Sequence, residues 1–406
     1  MKSSSKIVLA IVLVIFCSII SFAQTSLEDQ IRQDFVKELQ KKRNKGKKTA
    51  EQKTDSNQII ATKGNPQPNS TDANDEVITF ETQLARTDIL VFDPKGTAVL
   101  GLKASDFLIS EDNVPQEVGT FSLGDSENIP RSIVLIIDYS GSQRPYIKTS
   151  AAAAKVLVDK LNPKDKMAIV TDDVELINDF TSDKEELKKN LDKIAKKAEK
   201  GDKGRSMQYS ALFAVINEMF SPQDIRPIII FQTDGDQLFS IKSATSVDQP
   251  FSPFQTAFTD KKLISSIEQS RATIYSVISG YSLLGLNQEE QRKKAATIIE
   301  KTFDKKDKRA PEDVFSYASA LFRQQSSMAG IAKLSGGFSE NLETPEQANA
   351  IYENILTGIS NRYLIGYYPT NQERDGKRRT IKITIKDHPE YTVWGRKSYF
   401  AAPAKK

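Results

Sequence analysis

Two stretches of the chain run through uninterrupted apolar residues: Ile133-Val134-Leu135-Ile136-Ile137 and Ile228-Ile229-Ile230-Phe231. Such runs mark strands covered on both faces, as in a parallel sheet. Met167 to Val170 and Ile274 to Ile278 are weaker members of the same set. Between them the apolar positions change to a helical period, predicting helices over Ser150–Leu161, Asp183–Ala198, Tyr209–Phe220 and Leu263–Ser270. A further helix is expected over Pro345–Ile359. The repeated β-α-β order predicts an α/β unit built on an open, mostly parallel sheet. Two charged excursions interrupt it, Gln237 to Asp260 and Tyr281 to Gln325. The second contains a helix capped by Asn287, with Glu290 three residues on.

On either side the period drops to two. Before the α/β region, Val77–Phe80 and Ile89–Phe92 read as strands. Phe107–Ile109 and Val118–Phe121, flanking Glu111-Asp112-Asn113, read as a hairpin. After it, Tyr363–Tyr368, Thr380–Ile385 and Tyr391–Phe400 are strand-like. Neither flank is large enough to close a core alone. Together they predict one small β-sandwich, made of residues 76–127 and 362–402, with the α/β unit of residues 128–361 inserted into it. Trp394 and the Tyr363, Tyr367 and Tyr368 group are read as sandwich core.

The N-terminus has a different pattern. Lys2 and Lys6 precede an apolar run from Ile7 to Ile20, and Ser21-Phe22-Ala23 follows. This is the order of a secretory leader, so residues 1–23 are expected to direct export to periplasm, cell surface or medium. An uncleaved anchor is the competing reading, because the run approaches spanning length. Residues 24–75 open with a short amphipathic helix, on which Leu27, Ile31, Phe35 and Leu39 recur every four residues. A basic cluster, Lys41 to Lys48, and a polar stretch to Asn74 follow, and this segment reads as a disordered tether. The cluster offers a weak contact to an anionic surface, against its plainer reading as a solvated linker.

Composition narrows the chemistry. Of 406 residues, 38% are hydrophobic, enough for a real core. The 57 Lys+Arg against 53 Asp+Glu leave a formal charge of +4, which argues against a nucleic-acid partner. One cysteine and one histidine exclude an internal disulfide framework and a Cys/His zinc site. Nothing in the pattern sets an oligomeric state.

The candidate chemistry lies where the first buried strand ends, at Asp138-Tyr139-Ser140-Gly141-Ser142. Ligands of open α/β sheets bind outside the carboxyl ends of strands. A carboxylate and two hydroxyls at alternate positions there can converge on one point. They are hard oxygen donors, suited to Mg²⁺ first and to Mn²⁺ or Ca²⁺ next. A second carboxylate, Asp234, follows the other strongly buried strand, and a Gly/Ser loop from Gly201 to Ser206 lies between them. Asp236 and the Asp172-Asp173 pair read as solvated loop charges. The Lys188-Lys189 and Lys196-Lys197 faces read as solvated too. Leu283-Leu284-Gly285-Leu286 is expected to cover one edge of the site or to meet a partner.

These loops resemble the metal-ion-dependent adhesion site of von Willebrand factor A domains, whose pattern is Asp-x-Ser-x-Ser, then a threonine, then an aspartate. Asp138, Ser140 and Ser142 match the first loop and Asp234 the third. In the second, Gly204 to Leu212 resembles the family's Gly-Gly-Thr-Ala-Leu-Tyr-Asp-Ala-Leu, with Ser206 in the threonine position. Serine keeps the hydroxyl and loses the methyl that stiffens its rotamer. Gly101 to Phe107, Glu111 to Gln116, Arg362 to Pro369 and Gly395 to Phe400 resemble the flanks of exported bacterial proteins of the acidobacterial-type von Willebrand A family. The resemblance covers about residues 76 to 403. It implies a Rossmann-like doubly wound unit with a divalent cation on Asp138, Ser140, Ser142, Ser206 and Asp234.

The implied function is non-enzymatic: an exported adhesion module whose cation captures a carboxylate from a protein partner. A metal-assisted hydrolase would need a base or a second metal beside the first. The single histidine, His388, lies before Pro389 in a tail turn, and no nucleophile elbow or phosphate loop is present. A metal-free scaffold is the third reading, supported only by the serine at 206.

Overall fold

The computed structural model describes residues 30–44, 84–125, 129–221, 224–237, 240–242, 255–302 and 313–401. The leader, the tether beyond residue 44 and the strand expected at Val77–Phe80 lie outside the described residues.

Strands β1 (Ala85–Phe92), β2 (Phe107–Glu111), β3 (Val114–Gln116) and β4 (Val118–Leu123) precede the α/β unit. That unit contains β5 (Arg131–Ile137), α2 (Ile147–Asp159), β6 (Lys166–Thr171), β7 (Leu176–Thr181), α3 (Lys184–Glu199), α4 (Gln208–Glu218), β8 (Arg226–Thr233), β9 (Ser240–Lys242) and β10 (Gln255–Thr259). It continues with α5 (Asp260–Gln269), β11 (Thr273–Ser279), α6 (Gln288–Thr302), α7 (Val314–Leu334), β12 (Ser339–Leu342) and α8 (Ala348–Ser360). β13 (Tyr363–Tyr367), β14 (Arg378–Ile385), β15 (Thr392–Gly395) and β16 (Ser398–Phe400) complete the described chain. A helix over residues 30–44, α1, precedes them all.

The central sheet has six strands in the order β12-β11-β8-β5-β6-β7. All neighbours are parallel except β6 and β7. Its two faces explain the apolar runs. Ile133, Leu135 and Ile137 pack with α2, α3 and α8, while Val134 and Ile136 pack on the opposite side with α4, α5 and α7. β5 and β8 lie side by side, with the chain winding away from them in opposite directions. Ligands bind at such a switch point, outside the carboxyl ends of the strands.

The flanking strands form two antiparallel sheets, β15-β1-β13-β4 and β16-β14-β2-β3. Each mixes strands from both ends of the chain, so the sandwich closes only after the α/β unit has been traversed. Ile89, Phe107, Ile109, Tyr363, Ile365, Tyr367 and Ile381 meet between the sheets. The expected hairpin is different in detail. β2 pairs with β3 across Asp112-Asn113, both with positive φ as a tight two-residue turn demands, and β4 crosses to pair with β13 in the other sheet. Trp394 is not core: it is half exposed on β15, edge-on to Phe92. Tyr368 is exposed as well, whereas Tyr363 and Tyr367 are buried.

Buried charge joins the two units. Asp88 of β1 lies 3.6 Å from Arg362 and 3.9 Å from Arg226, and it accepts from Thr273 Oγ1 at 2.9 Å. Burial alone would raise its pKa, but Arg362 and then Arg226 outweigh that and hold it below the usual range. Arg362 donates to Gly336 O and Tyr275 Oη at 2.7 Å each. Arg396 reaches the carbonyls of Ile267 and Glu268 at the end of α5.

α1 presents Ile31, Phe35 and Leu39 to the core, as its period predicts. It docks on α4 and the edge strand β7. Arg32 pairs with Glu218, Arg43 Nε donates to Asp179 at 3.0 Å, and Lys42 Nζ reaches the β7 carbonyls of Leu176 and Ile177 at 3.0 and 2.7 Å. Two members of the basic cluster are therefore bound to the α/β unit, not free in a tether.

Candidate functional site

Asp138 is the first residue beyond β5 and is fully buried. Its Oδ1 accepts from Ser140 N at 2.8 Å, while Oδ2 accepts from Thr233 Oγ1 at 2.7 Å and Gln208 Nε2 at 2.9 Å. Oδ2 is thus saturated by two donors. The Ser140 and Ser142 hydroxyls approach to 3.2 Å. Ser140 is buried and Ser142 exposed, so the hydroxyl pair leads from the floor of the site to solvent. Asp234, just past β8, accepts from Asp236 N at 2.9 Å and is partly exposed. Burial, and then the Asp234 charge, push the Asp138 carboxyl up to about 6.

The three loops brace one another. Asp172 Oδ1 accepts from Tyr139 N at 3.1 Å and Oδ2 from Ser206 N at 2.8 Å, tying the first loop to the second. Gly204 N donates to Tyr139 O at 3.3 Å, and a Cβ on Gly204 would fall 2.0 Å from Asp172 Oδ1, so only glycine fits. Gln237 Oε1 accepts from Tyr209 N at 2.9 Å, tying the second loop to the third. Asp172 is therefore no solvated loop charge. It is buried, and burial followed by the Asp138 charge pushes it up to about 8. Its position directly after β6, on the same sheet edge as Asp138, was the available sequence signal. Asp236 remains exposed, as expected.

The structure brings Asp138, Ser140, Ser142 and Asp234 together. Ser206 stands on the second loop with a left-handed backbone, φ 55°, held through its N–H by Asp172. Among the described residues its hydroxyl has no hydrogen bond to the other four. No group of three or more His, Cys, Asp or Glu able to hold a metal occurs among the described residues. The donor set here is instead two carboxylates supplemented by hydroxyls. Its chemistry fits a hard divalent cation: two carboxylates follow neighbouring strand ends beside a pair of hydroxyls 3.2 Å apart.

The strand order, with the antiparallel edge strand β7, puts a carboxylate at each side of the switch point. The α/β unit is an open, doubly wound, mostly parallel sheet, as the sequence predicts. No sequence-family profile and no curated protein matches the chain. Among solved structures it is similar to the von Willebrand domain of the type V pili tip protein Mfa5 from Porphyromonas gingivalis. That match has 12% identity and a TM-score of 0.34, covering 57% of this chain and 95% of that one. A von Willebrand factor type A protein from Catenulispora acidiphila matches at 13% identity and a TM-score of 0.35, covering 80% and 76%. The manganese-loaded TRAP protein of Plasmodium vivax matches at 11% and 0.29, covering 69% and 82%.

Between β11 and β12 the chain forms a helical pair, α6 and α7. Leu283 is fully buried beneath it with Ala295 and Ala318, and Leu286 packs alongside. The apolar loop is therefore an anchor for this pair, not an exposed contact. Gln325 of α7 clamps the loop through Leu283 N at 2.7 Å and Tyr281 O at 2.8 Å. Asn287 and Glu290 cap α6 reciprocally, as the sequence predicts.

Proposed function

We propose that this chain is an exported, non-enzymatic binding module in which Asp138, Ser140, Ser142, Ser206 and Asp234 hold a divalent cation, Mg²⁺ before Mn²⁺ or Ca²⁺. The bound cation would supply a strong electrophilic attraction for an oxygen anion. The observation supporting this is the placement of Asp138 and Asp234 on neighbouring strand ends beside a hydroxyl pair 3.2 Å apart. Two carboxylates and neutral hydroxyls leave the cation an open position, which a carboxylate of a protein partner fills. The protein's own part is rigidity. Thr233, Gln208 and the Ser140 N–H fix Asp138, and Asp172 fixes the second loop against the first. Export rests on the leader pattern of residues 1–23.

A hydrolytic reading would need a base, and the single histidine does not stand at the site. His388 is exposed on the turn between β14 and β15, 3.0 Å from Glu390 and stacked on Tyr391. Water-proton relaxation with Mn²⁺ tests the open position. Enhancement on adding protein, reduced by millimolar glutarate and lost in Asp138→Ala, is the expected result. Enhancement that glutarate leaves unchanged would mean that no carboxylate enters the coordination shell.

A further inference from the structure

Three cations stand on the two loops that carry the serines of the site. Arg144 follows Ser142 by two residues, and Lys203 and Arg205 flank Gly204 beside Ser206. All three are exposed. Lys203 lies directly over the first loop: its Cδ is 3.8 Å from where a Cβ on Gly141, between the two serines, would stand. None of the three has an ion-pair partner among the described residues. On the adjoining helices Lys148, Lys155, Lys188 and Lys197 pair with carboxylates, while Lys189, Lys193 and Lys196 have no ion pair among the described residues. Asp202 and Asp236 are exposed acids of the second and third loops.

Cations around a cation site oppose loading of the metal, so stability and metal binding give no reason for them. A partner bearing several carboxylates does. We propose that Arg144, Lys203 and Arg205 form a collar that recognises an acidic polypeptide segment, one carboxylate reaching the metal and its neighbours reaching the collar. The proposal rests on the metal-site reading and names the partner class for it. The recess favours a polypeptide over an acidic polysaccharide. Asp138 and Ser140 are buried at its floor, and a glutamate carries its carboxylate on a two-methylene stem, whereas a uronate carboxyl sits on the ring itself.

The test uses hexaglutamate, oligogalacturonate and the metal alone as probes, with residues 24–406 as wild type, as Asp138→Ala, and as the combined Arg144→Gln, Lys203→Gln, Arg205→Gln variant. The three substitutions are at exposed positions, and an unchanged melting temperature verifies folding. The collar variant is expected to bind Mg²⁺ or Mn²⁺ as well as wild type or up to a few-fold tighter, and hexaglutamate about tenfold more weakly or worse. The wild-type affinity for hexaglutamate should fall with salt more steeply than that of the variant. Equal hexaglutamate binding by wild type and collar variant overturns the collar. Tighter binding of oligogalacturonate than of hexaglutamate overturns the polypeptide assignment. If wild type takes up no metal yet binds hexaglutamate through the collar residues, the collar stands and the metal reading fails. If it binds neither, both fall.

Discussion

Asp172 shows how much one side chain can fix. Its two oxygens hold the N–H groups of Tyr139 and Ser206, so one buried carboxylate sets the distance between two loops. Gly204→Ala should break that arrangement, because its Cβ would collide with Asp172 Oδ1. Metal affinity should drop about 10–100-fold in Gly204→Ala and in Asp172→Ala, read by calorimetry. Wild-type affinity in both would mean the clamp does not shape the site. Asp224, at the opposite end of the sheet, gives a pH prediction. It accepts from Lys166 Nζ at 2.8 Å, Ser132 Oγ at 2.5 Å and Ser221 N at 2.7 Å. Burial raises its pKa, but Lys166 and the hydroxyls outweigh this and bring it down to about 2. With the folded value below the unfolded 3.8, the stabilisation is present above pH 4 and lost as pH falls towards 2. Asp224→Asn should lose less melting temperature between pH 5 and pH 3 than wild type. An identical loss would assign the acid response elsewhere.

At the scale of elements, α1 is the piece whose role the sequence half discloses. Its apolar stripe is legible from Ile31, Phe35 and Leu39, but a stripe alone does not say what covers it. Docking emerges only when Arg32, Lys42 and Arg43 find Glu218, the β7 carbonyls and Asp179. Phe35→Ala should cost about 3 kcal/mol and speed hydrogen exchange in β7 and α4. An unchanged denaturation midpoint would show the helix to be dispensable. Strong elements were readable because burial on both faces leaves no polar positions, as in β5 and β8. The edge strands were not. β7 (Leu-Ile-Asn-Asp-Phe-Thr) and β12 (Ser-Glu-Asn-Leu) each have one covered side, so polar residues break the apolar run. The site loops were legible because their spacing is local, whereas Asp172 acts across the sheet and has no local spacing.

For the whole molecule, the seam between sandwich and α/β unit is where distant parts of the chain meet. Asp88 is the acid facing Arg226 and Arg362, and removing it leaves both guanidinium groups buried without it. Asp88→Ala should destabilise by about 3 kcal/mol, seen as a lowered thermal midpoint. A midpoint within a degree of wild type would show that Asp88 does not hold the two units together. The central claim concerns the other end of the sheet, where two strand-end carboxylates and three hydroxyls are assigned to one cation. Calorimetric titration of Mg²⁺ and Mn²⁺ into residues 24–406, beside Asp138→Ala, tests it most directly. The account predicts one site of micromolar-to-millimolar affinity in the wild type and none in the variant. Equal heats in the two proteins, or no heat and no metal-linked rise in melting temperature in the wild type, would contradict it.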